Sequence, residues 1–92
     1  MLIVEVEWDG RKAEVNLRKH GIAFDDAQTV LYDVLALALV NDRHAETRVV
    51  RIGADALGRI LVIVYTLRDG RHRLISARRA TAHECRRYTE GQ

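Results

Sequence analysis

The dipeptide Asp69-Gly70 constrains the fold of this chain more than any other feature of its sequence. It separates two apolar stretches, at about residues 59–68 and 71–79, and an Asp-Gly pair in such a place is typical of a two-residue type I′ turn. The sequence therefore predicts a β-hairpin. Both faces of each stretch are apolar in the middle, so we expect these strands to lie inside a sheet and not at its edge.

The turn also predicts how the two strands pair, because a two-residue hairpin loop fixes the register. Arg68 should lie opposite Arg71, and Thr66 opposite Arg73. The same count gives the pairs Leu67–His72, Tyr65–Leu74, Val64–Ile75, Ile63–Ser76, Val62–Ala77 and Leu61–Arg78. Arg73 and Arg78 then point to opposite faces, so they cannot both contact one phosphate unless the strand contains a bulge.

Helix signals precede the hairpin. Asp9 is a predicted N-cap for a helix at about 11–20, and Gly21 stands where a left-handed C′ residue would end it. Asp25 is predicted to open a second helix with Gln28 as its capping-box partner. One apolar face of that helix would contain Phe24, Ala27, Val30 and Leu31.

The remaining elements complete an α+β pattern. We predict strands at about 2–8, 35–40 and 47–53, and a final helix at about 82–90. The order β-α-α-β-β-β-β-α indicates a mainly antiparallel sheet with helices packed on it. No linker or repeat interrupts this order, so a single domain spanning residues 1–92 is expected.

Several classes of protein are disfavoured by composition. The single cysteine, Cys85, excludes a disulfide within the chain and is typical of a reducing compartment. The N-terminal segment lacks the basic flank of a signal peptide, and no apolar run approaches the roughly 18 residues that a membrane span requires. We therefore expect a cytoplasmic protein that does not bind membranes.

Positive charge is concentrated near the C-terminus. Residues 67–88 contain seven arginines against Asp69 and Glu84, a balance of +5, whereas residues 1–66 contain eight basic and ten acidic residues, a balance of −2. The planar guanidinium group binds phosphate in a bidentate manner, which favours a site for such an anion. A GC-rich genome would produce the same excess of arginine codons, so both explanations stay open.

Three motifs in the chain resemble the BrnT family of toxins from bacterial type II toxin–antitoxin systems. They are W-D-x-x-K-A-x-x-N-x-x-K-H-G at residues 8–21, R-x-x-x-I-G at 48–53 and I-S-A-R-x-A-x-x-x-E-x-x-x-Y at 75–88. Two positions depart from the family pattern. Gly10 stands where proline is frequent, and Cys85 stands where an arginine commonly follows the helix glutamate. If that arginine contacts RNA in relatives, this chain has lost one contact.

The resemblance implies a RelE-like fold and an endoribonuclease that cleaves RNA by attack of the 2′-hydroxyl, without a metal ion or a cofactor. It also implies a ribbon-helix-helix antitoxin, similar to BrnA, in a complex with two copies of each chain. Operator DNA would be contacted only through that antitoxin. A different class stays open: a RelE-like module that binds nucleic acid, or a protein such as DNA gyrase, without cleavage.

Cleavage of this kind needs a base for the hydroxyl proton, cations for the charge on the phosphorane, and an acid for the departing oxygen. We consider Arg78 and Arg73 as the cations, and Lys19, His20 and Glu84 as the groups that handle protons. Further contacts with RNA are expected from Arg68, Arg71, Arg79, Arg87 and Tyr88.

Structural roles explain the same arginines and the glutamate equally well. Arg78 can pair with Glu84 and so join a helix to a strand. The T-x-x-E sequence at 81–84 is a capping box in which Glu84 bonds to the Thr81 amide. Arg73 can contact Thr66 across the hairpin. The residues alone do not decide between these roles and catalysis.

The other candidates have structural alternatives too. Lys19 and His20 stand at the end of a predicted helix, where cations complement the helix dipole. Tyr88 can stack on a base, or it can pack against the sheet. No histidine and cysteine pairs occur at zinc spacing, so the sequence does not predict a metal site.

Overall fold

The computed structural model describes residues 3–42 and 46–91. Its elements are β1 (Val6–Trp8), α1 (Gly10–His20), α2 (Phe24–Ala27), a 3₁₀ helix (Gln28–Tyr32), β2 (Leu37–Asn41), β3 (Arg48–Ala54), β4 (Ile60–Arg68), β5 (Arg71–Arg79) and α3 (Ala82–Glu90). The strand order is β1-β5-β4-β3-β2, and every pairing is antiparallel except the parallel pair of β1 and β5. The predicted α+β fold is confirmed.

The local signals that the sequence carries most strongly are found in place. Asp69 and Gly70 both have positive φ angles, 51° and 78°, as a type I′ turn requires. The Asp9 side chain accepts hydrogen bonds from the backbone N–H groups of residues 11 and 12, and Gly21 ends α1 at a φ of 71°. At the start of α3, Thr81 and Glu84 form the predicted capping box.

The predicted cap of the second helix is wrong. Helix α2 begins at Phe24, its N-cap is Ala23 without a side-chain hydrogen bond, and Gln28 begins the 3₁₀ helix that follows. The helix therefore starts one residue before Asp25, and its first residue, Phe24, is buried in the core. Asp25 instead lies in the first turn, where a carboxylate complements the positive end of the helix dipole.

Two strands have bounds that differ from the prediction. Strand β1 contains only three residues, because its parallel pairing with β5 runs only from Val6 to Trp8; Leu2, where the predicted strand began, lies outside the described residues. Strand β2 begins later than predicted because Asp33 holds a turn before it. The Asp33 carboxylate accepts a hydrogen bond from the Leu35 N–H, and its backbone oxygen accepts one from Ala36.

The hairpin register is correct near the turn and wrong beyond it. The predicted pairs from Arg68–Arg71 to Tyr65–Leu74 are present. Beyond them β5 contains a bulge: Tyr65 pairs with Leu74 and Val64 with Ser76, so Ile75 between them has no partner in β4. The pairs beyond it are Val64–Ser76, Ile63–Ala77, Val62–Arg78 and Leu61–Arg79. The extra residue reverses the alternation of side chains, and Arg73 and Arg78 therefore lie on the same face of the sheet.

Helices α1 and α2 and the 3₁₀ helix pack on the opposite face, which carries the main core. Ile63, Leu74 and Ala77 from the strands meet Phe24 and Val30 from the helices there. Trp8 packs against this core, with its ring edge-on to Phe24 at 5.9 Å between centroids. The predicted apolar face of residues 24–31 is thus confirmed.

Asn16 joins α1 to β5 from a buried position. Its side-chain amide donates hydrogen bonds to the backbone oxygens of Ile22 and Ala77, at 3.0 and 2.9 Å, and its oxygen accepts one from the Ala77 N–H at 3.0 Å. All these polar groups are buried, so each bond avoids an unsatisfied backbone group in the core. The bonds fix the distance and orientation of α1 relative to the bulged strand.

None of the helices in the described part of the chain is long and apolar enough to cross a membrane.

Candidate functional site

The face of the sheet opposite the main core carries a row of polar side chains across four strands. Pairing places Glu7 of β1, Arg73 of β5, Thr66 of β4 and Arg48 of β3 in one line, perpendicular to the strands. Directly opposite residues in a sheet have side chains on the same face, so these groups are neighbours. We call this surface, which also carries Arg68, Arg71 and Arg78, the arginine face.

A cleft of about 490 Å³ opens on the arginine face. Its cations are Lys12, Arg48, Arg68 and Arg73, and Glu46, Thr66 and Ile75 complete its walls. We call it the arginine cleft. Four cations and one carboxylate give these walls a formal charge of +3, which suits an anion with several oxygen atoms.

Nearby glutamates reduce the repulsion among the arginines of this face. Arg68 makes two hydrogen bonds to Glu46, at 2.8 and 3.1 Å, and these lower the pKa of the glutamate. Arg71 contacts Glu5 at 3.4 Å, and Arg73 contacts Glu7 at 3.5 Å. Ion pairs that solvent can reach contribute little to stability, so an incoming phosphate can displace them at low cost.

A second, smaller pocket of about 340 Å³ lies between α1 and β5, and we call it the helix pocket. Val15 and Ile75 provide its apolar surface. Its polar walls come from Arg11, Lys12, Asn16, Lys19, His20 and Ser76. Lys12 and Ile75 line both openings, so the helix pocket and the arginine cleft are adjacent.

Arg78 and Glu84 contact each other. Both terminal nitrogens of Arg78 donate to the two carboxylate oxygens of Glu84, at 2.8 and 2.9 Å, and the Thr81 N–H donates to the same carboxylate at 2.8 Å. The Arg78 hydrogen bonds, with that of Thr81, lower the pKa of Glu84 to about 2 against the effect of burial. The ion pair and the capping box therefore occur together, and they fasten the start of α3 to β5.

The other end of α3 is held by Tyr88. Its hydroxyl donates to the Asp33 carboxylate at 2.7 Å, and the same oxygen accepts a hydrogen bond from the Ala54 N–H at 2.8 Å. Burial opposes ionisation of Asp33, but these hydrogen bonds prevail and lower its pKa, while the pKa of Tyr88 is raised. Tyr88 thus connects α3 to β3 and to the turn before β2.

The structure brings together only some of the residues that the sequence singled out. Arg68 and Arg73 line the arginine cleft, and Lys19 and His20 line the adjacent helix pocket. Arg79 pairs with Leu61 and so lies on the opposite face, while Arg87 is exposed on α3.

Two cations of the arginine cleft were missed by the sequence interpretation. Lys12 and Arg48 both stand in the family motifs, at W-D-x-x-K and R-x-x-x-I-G, and Lys12 is one of only two lysines in the chain. The motif positions mark both residues as candidates, but the spacing of residues 12, 48 and 73 in the sequence does not predict that they surround one cleft. In the described ranges no three His, Cys, Asp or Glu side chains are grouped as around a metal ion.

Comparison with known proteins assigns this small basic α+β chain to a class of toxins. The family model of the ribonuclease toxin BrnT, of type II toxin–antitoxin systems, matches residues 8–84. Because the match extends over most of the chain, the chain belongs to the BrnT family, and the resemblance in the three motifs is confirmed. No curated protein matches it.

A solved structure supports the same assignment. The crystal structure of the Brucella abortus ribonuclease toxin BrnT, at 1.1 Å resolution, matches with a TM-score of 0.64 and 26% sequence identity. The match covers 86% of this chain and 99% of the Brucella chain. The fold of this chain is therefore that of a BrnT toxin over almost the entire Brucella protein.

Proposed function

We propose that this chain is a cytoplasmic endoribonuclease toxin that cleaves RNA by attack of the 2′-hydroxyl on the adjacent phosphate, without a metal ion. The observation that carries the proposal is the arginine cleft, in which Lys12, Arg48, Arg68 and Arg73 surround one space with a single carboxylate in its walls. Membership of a family of ribonuclease toxins supports RNA as the substrate.

The cations of the cleft would bind the scissile phosphate and stabilise the charge that develops on its oxygens. The contact of Arg73 with Glu7 is long, at 3.5 Å, and the Arg73 side chain is 32% exposed. Its remaining donors are therefore available to a ligand. Arg48 and Lys12 approach the same space from β3 and α1. Donors that already surround the same space would stabilise the charge as it appears on the phosphate oxygens.

Arg78 lies on the same face as Arg73, which allows both to contact one RNA backbone. Its terminal nitrogens are held by Glu84, so we assign Glu84 a positioning role toward Arg78. A carboxylate with a pKa of about 2 is a weak base at neutral pH, which argues against proton abstraction by Glu84. Lys19 and His20, in the adjacent helix pocket, are our candidates for the transfer of protons.

The remaining cations would hold the RNA on either side of the cleft. Arg68 lies at the wall of the cleft, and Arg71 lies opposite it on the arginine face. Arg79 and Arg87 are exposed and lie away from the cleft, where they would contact more distant phosphates. The Tyr88 hydroxyl donates to Asp33 and so holds α3, and a contact between Tyr88 and RNA stays a prediction from the sequence.

The test is to incubate the purified protein with single-stranded RNA in the presence of EDTA and to identify the product ends. We expect cleavage that EDTA does not inhibit, with 2′,3′-cyclic phosphate on the 5′ fragment, since the attacking 2′-hydroxyl stays bonded to phosphorus. RNA that survives a large excess of protein, yet binds to it, would support a non-catalytic binding module instead. Cleavage abolished by EDTA and restored by Mg²⁺ would contradict the metal-independent mechanism.

We further propose that the activity is inhibited by a ribbon-helix-helix antitoxin that covers the arginine face. Such an antitoxin is a dimer, so the complex would contain two copies of each chain and would bind operator DNA through the antitoxin. Family membership in a type II system supports the existence of an antitoxin. The balance of +5 in residues 67–88 supports an acidic contact surface on it.

Salt should slow the association of the two proteins. Exposed charges steer association, and their effect is screened beyond about 8–10 Å at physiological ionic strength. We expect stopped-flow association rates to fall roughly tenfold between low and high salt. An Arg68→Ala/Arg73→Ala variant should show a weaker dependence of the association rate on salt. Arg18→Ala is the control, because Arg18 is exposed on α1 and lines neither opening. A rate indifferent to salt would place the inhibitory contact elsewhere.

A further inference from the structure

The helix pocket differs in chemistry from the arginine cleft beside it. Its volume of about 340 Å³ lies at the lower end of the range of small-molecule sites, roughly 300–1,000 Å³. The apolar side chains of Val15 and Ile75 line it, and Val15 remains 47% exposed. A cluster of phosphates would gain nothing from such a surface, whereas the flat, apolar face of an aromatic ring would.

The position of the helix pocket determines which ring can reach it. Lys12 and Ile75 border both the pocket and the arginine cleft. In a nucleotide, the phosphate and the base are separated only by the ribose. An RNA strand with one phosphate in the arginine cleft can therefore place the adjoining base in the helix pocket.

The polar groups around the helix pocket fit a base as well. Arg11 supplies hydrogen-bond donors for the ring nitrogens and carbonyl oxygens at a base edge, and its guanidinium plane can stack on a base. Asn16, in contrast, already uses its amide on Ile22 and Ala77, so it forms a wall and is not free to read the ligand.

We propose that the helix pocket binds one unpaired nucleobase of the RNA, next to the phosphate held in the arginine cleft. This inference rests on the proposed function, because it takes the ligand of the cleft to be RNA. It adds a point at which the toxin engages RNA through a base, and not only through the backbone. Single-stranded RNA would be preferred, since a paired base is not available to such a pocket.

The experiment measures binding without cleavage. The probe is a labelled RNA hexanucleotide with 2′-fluoro riboses, which lacks the attacking hydroxyl, and a series in which one base at a time is replaced by an abasic site. Affinity is read by fluorescence anisotropy. For the wild type we expect one abasic position to weaken binding roughly tenfold, within the range for loss of one bound base, and the others to have little effect.

A matched pair of variants connects that effect to the helix pocket. Val15→Glu places a charge on its apolar surface, and we expect the difference between the intact and abasic probes to disappear. Leu17→Glu makes the same change at a residue of α1 that is 49% exposed and lines a different depression beside Phe24. The Leu17→Glu protein should keep the roughly tenfold difference.

The outcomes separate this inference from the proposed function. A base-dependent signal lost in Val15→Glu, from a protein that cleaves no RNA, would support the pocket and contradict the ribonuclease. Cleavage of RNA with equal affinity for all abasic probes would overturn the pocket alone and leave an apolar side chain of the antitoxin as its occupant. A difference that persists in Val15→Glu, or no binding of any probe, would also overturn it.

Discussion

Replacing Arg73 by alanine is expected to slow RNA cleavage by roughly 10²–10³-fold, the usual effect of removing one preorganised donor from the charge that develops in a transition state. The reason is that Arg73 lines the arginine cleft, beside Thr66 in the row across the sheet. Its only described ion pair is long, at 3.5 Å, and partly open to solvent, so its removal should change the free energy of unfolding by less than about 1 kcal/mol.

Arg73→Lys refines this prediction. It keeps the charge and loses the planar fork, so we expect an activity between those of the wild type and Arg73→Ala. Arg18→Ala, which removes an exposed arginine of α1, is the control for net charge and should cleave at the wild-type rate. The measurement compares initial cleavage rates on one RNA substrate, and thermal melts verify that each variant is folded. An Arg73→Ala protein as active as the control would remove Arg73 from the site.

The second large effect is expected at the Arg78–Glu84 pair. Arg78 lies on the arginine face but does not line the arginine cleft, and Arg78→Ala should lower cleavage by at most roughly 10²–10³-fold through loss of its contact with the RNA backbone. Glu84→Gln keeps the capping hydrogen bond to the Thr81 N–H but loses the charge that holds Arg78. We expect it to remain folded and to be less active than the wild type. If Glu84 acts only through Arg78, the double variant should be no slower than Arg78→Ala alone. A further loss in the double variant would indicate a separate role in proton transfer.

The same pair predicts how stability depends on pH. Folding lowers the pKa of Glu84 from an ordinary 4.5 to about 2, so the ion pair stabilises the protein above pH 4.5 and this contribution is lost as the pH falls towards 2. Because Arg78 is 40% exposed and solvent screens the pair, we expect the contribution to be about 1 kcal/mol. Wild type should exceed Glu84→Gln by that amount at pH 7 in denaturant titrations, and the gap should close between pH 4.5 and 2. A gap independent of pH would contradict the ion pair.

Elements with a strong local signal could be predicted from the sequence. The turn at Asp69-Gly70, the Asp9 and Thr81 caps and the glycine that ends α1 each depend on residues within a few positions of one another. The bulge could not be predicted in this way. Ile75 carries no bulge signal of its own, and the shifted register pairs Ala77 with Ile63 and leaves its backbone bonded to Asn16, a contact from 61 positions away in the chain.

The candidate site shows the same division. The arginines of residues 67–88 were visible as a charge excess, and so was the local partner of Arg78, Glu84, but the glutamate partners of Arg68, Arg71 and Arg73 come from residues 46, 5 and 7, far away in the chain. Parallel pairing of β1 with β5 brings Glu7 to Arg73. The same arrangement allows Lys12 of α1 to line the arginine cleft. Contacts of this range follow from topology, which the spacing of residues does not encode locally.

Gly53, the glycine of R-x-x-x-I-G, affects more than its own strand, because Asp33 and its hydrogen bonds lie beside it. A Cβ added to Gly53 would lie 2.8 Å from the Ala36 Cβ and 3.0 Å from the Asp33 carboxylate oxygen that receives the Tyr88 hydroxyl. Any side chain there would press on the anchor of α3, while the other end of the same helix carries Glu84. The missing side chain of Gly53 thus leaves room for Asp33 to accept the Tyr88 hydroxyl, and a mutation at this buried glycine would disturb the anchor of the helix whose first turn carries Glu84 and its bond to Arg78.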